Sequence, residues 1–159
     1  CKILDTRKTT PLLRVLERQA VRDGGGMNHR YNLSDQVLIK DNHIAAIGSI
    51  EKAVEMVRKS VGKTMKIEVE VETKEEFLEA LGTSADIIML DNMNNELMKE
   101  LVEINNHSKK IEASGNMELK RVRSVALLGV DYISVGALTH SYKSLDISLK
   151  FYKNFPRSK

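Results

Sequence analysis

A chain of 159 residues with 42% hydrophobic and 30% charged residues is long and apolar enough to fold as one globular domain. The net charge of +3 is small and spread along the chain, and the aromatic content is only 4%, so the composition argues against a nucleic-acid-binding protein. The lone cysteine, Cys1, excludes an internal disulfide framework, and no apolar run approaches the roughly 18 residues that span a bilayer. We therefore expect a protein of a reducing compartment, the cytoplasm, with neither a membrane nor a nucleic acid as partner.

Short apolar runs alternate with helix-like periodicities along the chain, which is the pattern of repeated βα units. Six runs predict strands, at residues 2–6, 36–40, 65–71, 86–90, 110–114 and 130–136. The segments between them predict helices, at residues 11–23, 50–60, 74–81, 95–104 and 117–128. A last apolar run, SLDISLKF at residues 144–151, predicts one more strand.

Local residue types indicate where several of these elements begin and end. Pro11 is placed to start the first helix, and the three glycines at 24–26 are placed to end it. Ser49 is a favourable N-cap for the second predicted helix. Thr73 and Glu76 have the spacing of a capping box at the start of the third.

The spacing of the strands favours parallel pairs joined by right-handed helical crossovers. We therefore predict an α/β fold, an incomplete TIM-like β/α barrel with about six parallel strands instead of the eight of a full barrel. The predicted barrel domain covers residues 1–151, and residues 152–159 form a C-terminal tail. In such folds, functional side chains collect at the carboxyl ends of the strands.

Cations collect after the first strand, after the glycines and at the end of the second strand. Five residues make up this group: Arg7, Lys8, His29, Arg30 and Lys40. Each of them alone is typical of solvated loop charge, but together they suit a ligand with several negative charges. Two neighbours are assigned only to the structure of their loop: Asp41 and His43.

Carboxylates and small residues occupy the remaining strand ends. Glu68, Glu70 and Glu72 share one face of the third strand, and Asp91 follows the fourth. Three carboxylates facing a barrel interior would be costly unless they were paired, so at least one is expected to face cations or Mg²⁺. Small loops that suit a phosphate follow the last two strands: Ser114, Gly115, Asn116 and Gly136, with His140 close behind.

Seven segments in order carry a resemblance to one known family: LDTRKTTP, GGGMNHR, VLIKDNHI, IEVEVET, DIIMLDN, EASGNM and VDYISVGALTHS. At this order and spacing, from about residue 2 to residue 151, they closely resemble the quinolinate phosphoribosyltransferases. The resemblance implies an enzyme that transfers phosphoribose from phosphoribosyl pyrophosphate (PRPP) to the ring nitrogen of quinolinate and releases CO₂. The implied products are nicotinate mononucleotide, pyrophosphate and CO₂, in a step of NAD biosynthesis.

The resemblance also implies roles for the residues at the strand ends. Quinolinate would be held by five of them: Thr6, Arg7, His29, Arg30 and Lys40. PRPP would be held by Lys8, Glu70, Asp91, Ser114, Gly115, Asn116, Gly136 and His140. The implied catalytic residues are Lys8, Glu70 and Asp91, and the last two would bind the cofactor Mg²⁺ directly or through water. Glu70 is chosen over Glu68 because its spacing to Asp91 matches the family motif.

Chains of this family carry a separate N-terminal α/β domain before the LDTRKTTP segment, and the present sequence begins at that segment. The resemblance implies that this domain closes the active site of a neighbouring subunit in a homodimer and lends it an arginine. We therefore expect the chain alone to be weakly active or inactive and to retain part of its PRPP binding. We also expect an exposed apolar face where the domain would pack.

Other interpretations stay open. A phosphoribosyltransferase-like homologue of the molybdenum operons would share the fold and several motifs but prefer another substrate. A nicotinate or nicotinamide enzyme fits less well, because Arg7, Arg30 and Lys40 suit two carboxylates better than one. The chain could also be a non-catalytic ligand-binding or assembly fragment, which mixing with an N-terminal fragment would test.

Overall fold

The computed structural model describes residues 1–151, and its strands form one six-stranded sheet. In chain order they are β1 (Lys2–Leu4), β2 (Val37–Ile39), β3 (Ile67–Val71), β4 (Ile87–Asp91), β5 (Lys110–Ser114) and β6 (Tyr132–Ser134). All neighbouring pairs are parallel, in the spatial order β1-β6-β5-β4-β3-β2. Within the described residues the sheet does not close between β1 and β2, so the predicted incomplete barrel of six parallel strands is confirmed.

Helices connect the strands: α1 (Arg14–Asp23), α2 (Asp41–Ile47), α3 (Ile50–Val61), α4 (Lys74–Leu81), α5 (Asn95–Asn105), α6 (Leu119–Ala126) and α7 (Ala137–His140). All five predicted helices are present. The short helices α2 and α7 were not predicted, because neither is long enough to show a repeated apolar face. His43, assigned to a loop, lies in α2, where its Nδ1 accepts a hydrogen bond from the Lys40 N–H at 3.0 Å. None of the described helices is long and apolar enough to cross a membrane.

The two sides of the sheet differ in polarity, and this difference positions the site. Ile67, Val69 and Val71 of β3 are fully buried in the apolar core between the sheet and the helices. The residues that alternate with them, Glu68 and Glu70, point to the other side, the barrel interior. The predicted caps are also confirmed, since Ser49 Oγ accepts the Lys52 N–H at 3.2 Å and Thr73 forms a capping box with Glu76.

The first helix starts later than predicted, and its apolar side faces away from the barrel. It begins at Arg14, later than predicted, because Leu12 has a φ of 67°, a left-handed conformation that an α-helix does not include. Its apolar side faces outward: Leu16 is 68% exposed, whereas Glu17 and Arg18 are buried. The polar side of α1 therefore packs against the barrel.

The prediction of a strand at residues 144–151 is wrong. The segment contains no strand, and four of its apolar side chains are 81–90% exposed: Leu145, Ile147, Leu149 and Phe151. Alternating apolar residues form a strand only against a neighbouring edge, and this segment pairs with neither edge of the described sheet. The predicted tail at residues 152–159 lies outside the described residues.

Candidate functional site

Two adjoining cavities lie at the carboxyl ends of the strands. The first, here called the cation pocket, has a volume of about 430 Å³ and is lined by Thr6, Arg7, Lys8, His29, Arg30, Leu38, Lys40, Glu70, Met89, Asp91, Ser114 and Ser134. The second, here called the loop pocket, has a volume of about 520 Å³. It shares five of these residues and adds Asn92, Gly115, Asn116, Met117, Glu118, Gly136, Ala137 and His140. Every residue to which the resemblance gave a role thus lines one of the two cavities, while the roles themselves stay predictions.

Arg7 and Arg30 bring two guanidinium groups to the cation pocket. Burial and then the charge of Arg7 lower the pKa of Arg30, so the two cations lie close enough to repel each other. Arg30 Nη1 donates to the carbonyl of Gln36 at 3.1 Å. Arg7 Nε is buried and has no hydrogen-bond partner among residues 1–151. Because an unsatisfied buried donor is costly, the pocket is suited to receive an acceptor group from a ligand.

Two carboxylates line the same pocket. Glu70 forms an ion pair with Lys40, and Asp91 accepts a hydrogen bond from Asn92 Nδ2 at 2.7 Å. Carboxylate oxygens are the ligands that Mg²⁺ prefers, so Glu70 and Asp91 fit a magnesium ion if Glu70 exchanges Lys40 for the metal.

The glutamates on the interior side of β3 lie at different depths. Glu68 is fully buried, Glu70 is partly buried in the pocket wall, and Glu72 is exposed beyond the end of the strand. The two inner carboxylates each contact a cation, Glu70 with Lys40 and Glu68 with His29. The common face was predictable from the sequence, whereas the depth of each residue was not.

A buried ionic cluster lies at the inner end of the cation pocket. His29 Nε2 is 3.2 Å from Glu68 Oε2 and 3.4 Å from Glu112 Oε1. Gln36 Nε2 donates to Glu68 at 2.7 Å, and Ser134 Oγ donates to Glu112. The sequence patterns gave no role to Glu112, Gln36 or Ser134. The signal that marked Glu68 also applied to Glu112, since both are carboxylates alternating with buried apolar residues on a strand.

Opposing effects determine the pKa values of His29 and Glu68 in this cluster. Burial by itself lowers the pKa of His29, but the hydrogen bonds and charges of Glu112 and Glu68 outweigh it and raise the pKa to about 10. Burial raises the pKa of Glu68 to about 7, an effect that His29 opposes and the charge of Glu112 reinforces. The Arg30 N–H lies 2.8 Å from His29 Nδ1 and donates to the lone pair that only a neutral ring has. In either ring state Nε2 carries a proton, because it donates to the carboxylates.

The cluster is best described as a hydrogen-bonded ion pair, because two carboxylates at Nε2 favour the protonated ring more strongly than the single Arg30 N–H at Nδ1 favours the neutral one. Its three ligand atoms lie within 4.8 Å of one another, a spacing that a metal ion could also use. A metal would, however, displace the Nε2 proton that the carboxylates accept. Glu68 and Glu112 balance the charge of His29, and Glu70 pairs with Lys40. Among the described residues, the uncompensated positive charges of the pocket therefore belong to Arg7, Lys8 and Arg30.

Left-handed backbone conformations shape the loop pocket. Gly115 has a φ of 85°, and Asn92 and Asn116 have values of 54° and 50°. Asn116 Nδ2 donates to Asn92 Oδ1 at 3.1 Å, which ties the loop after β5 to the loop after β4. A Cβ at Gly115 would lie 2.2 Å from Asn92 Oδ1, so only glycine allows the two loops to approach this closely.

Comparisons with known proteins agree with this arrangement. The chain matches the family model described as quinolinate phosphoribosyl transferase, C-terminal domain, over residues 1–150. A Bacillus subtilis relative, named probable nicotinate-nucleotide pyrophosphorylase (carboxylating), is 51% identical over 148 residues, covering 93% of this chain and 51% of that protein. A Nicotiana tabacum relative, named quinolinate phosphoribosyltransferase (decarboxylating) 2b, mitochondrial, is 48% identical and covers 93% of this chain and 47% of that protein. The crystal structure of NadC from Streptococcus pyogenes is 48% identical, with a TM-score of 0.90 over 94% of this chain and 53% of that one.

The relatives match the same part of the protein, and that part contains both cavities. The chain spans about half the length of the curated relatives it matches. The matched residues include both cavities, from Thr6 at the end of β1 to His140 in α7. The chain belongs to the quinolinate phosphoribosyltransferase family, in which it matches the C-terminal domain.

Proposed function

We propose that this chain supplies the catalytic barrel for phosphoribosyl transfer from PRPP to quinolinate with decarboxylation. The products are nicotinate mononucleotide, pyrophosphate and CO₂, and the reaction is a step of NAD biosynthesis. The observation that carries the proposal is a pair of close cations, Arg7 and Arg30, in one pocket with the carboxylates Glu70 and Asp91. Such a pocket suits a dicarboxylate next to a magnesium pyrophosphate.

Arg7 and Arg30 are proposed to bind the two carboxylates of quinolinate. Their charges are available, since the charge of His29 is balanced within the buried cluster and Lys40 is paired with Glu70. When Glu70 binds the metal and releases Lys40, Lys40 also becomes available to a carboxylate of quinolinate. A monocarboxylate such as nicotinate would leave one guanidinium without an acceptor, and that unsatisfied donor supports selection of the diacid.

PRPP is proposed to lie across both cavities, with its 5-phosphate against the loops after β5 and β6. Glu70 and Asp91 would hold Mg²⁺, directly or through water, and the bound ion would neutralise the charge of the pyrophosphate. Lys8 lines both cavities, so its ammonium group is placed to stabilise negative charge on the leaving pyrophosphate.

The side chains are proposed to act by position and charge, without a covalent enzyme intermediate. Arg7 and Arg30 hold the diacid so that its ring nitrogen faces C1 of the ribose. The nitrogen lone pair forms the bond to C1 as the bond from C1 to the pyrophosphate oxygen breaks. The positively charged ring then accepts the electron pair of the bond between C2 and its carboxylate, CO₂ leaves, and a proton from solvent takes its place.

Calorimetric titration of the chain tests the proposal. We expect Mg-PRPP to bind, and quinolinate to bind at least about tenfold more tightly than nicotinate, because one lost charged hydrogen-bond pair costs about 1.4 kcal/mol or more. Binding of Mg-PRPP without a preference for quinolinate would instead favour a related phosphoribosyltransferase. A folded chain that binds neither ligand would contradict the roles given to these residues.

Gly115→Ala tests the role of the loop pocket. A Cβ there would meet Asn92 Oδ1, so the two loops must separate, and we expect the dissociation constant of Mg-PRPP to rise about tenfold. Gly62→Ala is the matched control: Gly62 also has a positive φ, 73°, but nothing lies within 4 Å of its added Cβ. Both variants should lose about 1 kcal/mol of stability from backbone strain. Equal Mg-PRPP affinity in the two variants would remove the loop pocket from the proposed PRPP site.

The partner is proposed to be a second copy, in a homodimer or larger homo-oligomer, with the exposed apolar side of α1 inside the interface. Val15 and Leu16 of α1, together with Leu12 just before the helix, are 63–102% exposed, and a patch of this kind marks an interaction surface. We expect little turnover from the chain alone and a rise when the N-terminal part of a relative is added as a separate fragment. Full turnover by the chain alone would contradict this. The proposed compartment is the cytoplasm, where the free and exposed Cys1 would stay reduced.

A further inference from the structure

The polar side of α1 contacts the loop that follows β1. Arg14 Nη2 donates to the carbonyl of Arg7 at 3.2 Å, and Arg14 Nε donates to Thr9 Oγ1 at 3.1 Å. Glu17 Oε2 accepts the N–H of Thr10 at 3.0 Å. An ordinary surface helix turns its apolar side to the core, whereas α1 uses its polar side to hold the backbone next to Arg7.

Arg18 of the same helix extends these contacts to the segment that carries His29 and Arg30. Its Nη2 donates to the carbonyl of His29 at 2.8 Å, and its Nη1 reaches the carbonyl of Arg30 at 3.4 Å. The side chain is only 10% exposed, and its guanidinium carbon lies 5.2 Å from the ring centroid of Tyr31. One buried cation therefore binds two consecutive carbonyl groups of this segment.

Asp5 binds Arg18 and the same segment from the end of β1. It is fully buried, and its Oδ1 lies 3.3 Å from Arg18 Nη1 and accepts the N–H of His29 at 2.7 Å. Its Oδ2 accepts a hydrogen bond from Asn28 Nδ2. A buried carboxylate is costly unless it is paired, and all of these bonds lead to Arg18 or to residues 28–29. The pair thus joins β1, α1 and the segment before β2.

We infer that Asp5 and Arg18 form a positioning clamp that fixes Arg30 relative to Arg7 and so sets the affinity of the pocket for a diacid. The inference rests on the proposed function, because it takes quinolinate as the ligand. Neither Asp5 nor Arg18 lines either cavity, so both act through the backbone of residues 28–30 and not by touching the ligand. A rigid diacid must meet both guanidinium groups at once, which makes its binding sensitive to their separation.

Arg18→Lys is the test variant, because lysine keeps the charge but cannot hold a carboxylate and two carbonyls with one planar group. Arg58→Lys is the matched control. Arg58 also pairs with an aspartate, Asp86 at 2.8 Å, and donates to three carbonyls, but it lies outside both cavities. Both variants should lower the melting temperature, so stability alone cannot separate a positioning role from a structural one.

Two measurements distinguish a positioning role of Arg18 from a purely structural one. By calorimetry, Arg18→Lys should raise the dissociation constant of quinolinate about tenfold and leave that of Mg-PRPP within about twofold, whereas Arg58→Lys should change neither. By NMR hydrogen exchange, the His29 amide should exchange at least about tenfold faster in Arg18→Lys and not in Arg58→Lys. Asp5→Asn removes the charge but keeps an acceptor oxygen. It should likewise weaken quinolinate binding, leave Mg-PRPP binding unchanged and speed exchange at His29, and it replaces Arg18→Lys if that variant does not fold.

Each contrary outcome has a distinct meaning. Unchanged exchange at His29 in Arg18→Lys would overturn the clamp whether or not a ligand binds. Faster exchange with an unchanged quinolinate constant, or an equal loss of both ligands, would overturn the positioning role. A wild-type chain that binds Mg-PRPP but not quinolinate would overturn the proposed function, and the exchange rates would still decide whether the clamp holds residues 28–30.

Discussion

Glu70→Gln should lower the turnover of quinolinate and PRPP by about 10²–10³-fold while changing the dissociation constant of quinolinate little. Glu70 lines the cation pocket together with Asp91 and is paired with Lys40. Glutamine keeps the size and one acceptor oxygen but lacks the negative charge that suits Mg²⁺ and a ribose carbon gaining positive charge. The measurement is the steady-state release of labelled CO₂ from quinolinate, in a preparation of the protein that turns over.

Glu72→Gln is the matched control for this experiment. Glu72 follows Glu70 on the same face but is exposed and lies outside both cavities. The turnover of the Glu72→Gln variant should therefore stay within about twofold of that of the wild type. Equal losses in the two variants would contradict the assignment of Glu70. A gain of quinolinate affinity with unchanged turnover would show that Glu70 acts only by neutralising Lys40 and not by holding the metal.

The location of the site could be predicted because parallel strands bring their carboxyl ends to one edge of the sheet. Arg7 after β1, Lys40 after β2 and Asp91 at the end of β4 are far apart in sequence but line one pocket. The spacing of the βα units was enough for this inference, since it depends on the direction of the strands and not on any side-chain contact.

The depth of each side chain in the barrel could not be predicted. The period of two places Glu68 and Glu70 on the same face, but how far each lies from solvent depends on the curvature of the sheet. Glu112 was missed for a related reason, because its partner His29 comes from a loop far away in the sequence. A single carboxylate in an apolar strand does not show whether a cation will meet it.

The orientation of α1 could not be predicted either. Periodicity identifies an apolar side of a helix, but the side that packs against the barrel depends on what the polar side can bind. Glu17 and Arg18 are buried because the backbone of two loops supplies their partners, and Leu16 is left exposed. The segment at residues 144–151 illustrates the same limit, since its alternation is regular but no described strand pairs with it.

The free energy of unfolding should decrease as the pH rises from 6.5 to about 10, because of His29. Burial lowers the pKa of His29, but Glu112 and Glu68 outweigh burial and raise it from 6.5 to about 10. A group whose pKa is raised by folding stabilises the protein fully below its unfolded pKa, and this stabilisation is lost as the pH rises through the folded pKa. At about 1.4 kcal/mol for each unit of pKa shift, the loss is on the order of 3–5 kcal/mol. Folding also raises the pKa of Glu68, to about 7, so Glu68 likewise makes the free energy of unfolding decrease as the pH rises. Its contribution is lost mainly below neutral pH.

Urea denaturation at several pH values, together with an NMR titration of the His29 ring, measures this effect. Glu112→Gln should move the decrease to lower pH and make it smaller, because it removes the main group that raises the pKa of His29. Glu72→Gln again serves as the control, since Glu72 is exposed and contacts neither His29 nor its partners. Identical pH profiles for wild type and Glu112→Gln would contradict the prediction.

A ring of His29 that titrates near 6.5 would mean that the hydrogen bond from the Arg30 N–H to Nδ1 keeps the imidazole neutral. The Nε2 proton would still lie between Glu68 and Glu112, so the two states differ by one positive charge beneath the cation pocket. The pH dependence of quinolinate binding distinguishes the charged ring from the neutral one. A charged ring keeps the affinity for quinolinate constant from about pH 8, above the pKa of Glu68, to about pH 9. A ring titrating near 6.5 instead makes the affinity fall as the pH rises through 6.5. If the ring stays charged, the two buried glutamates act by keeping a positive charge on His29 beneath the diacid site up to about pH 9.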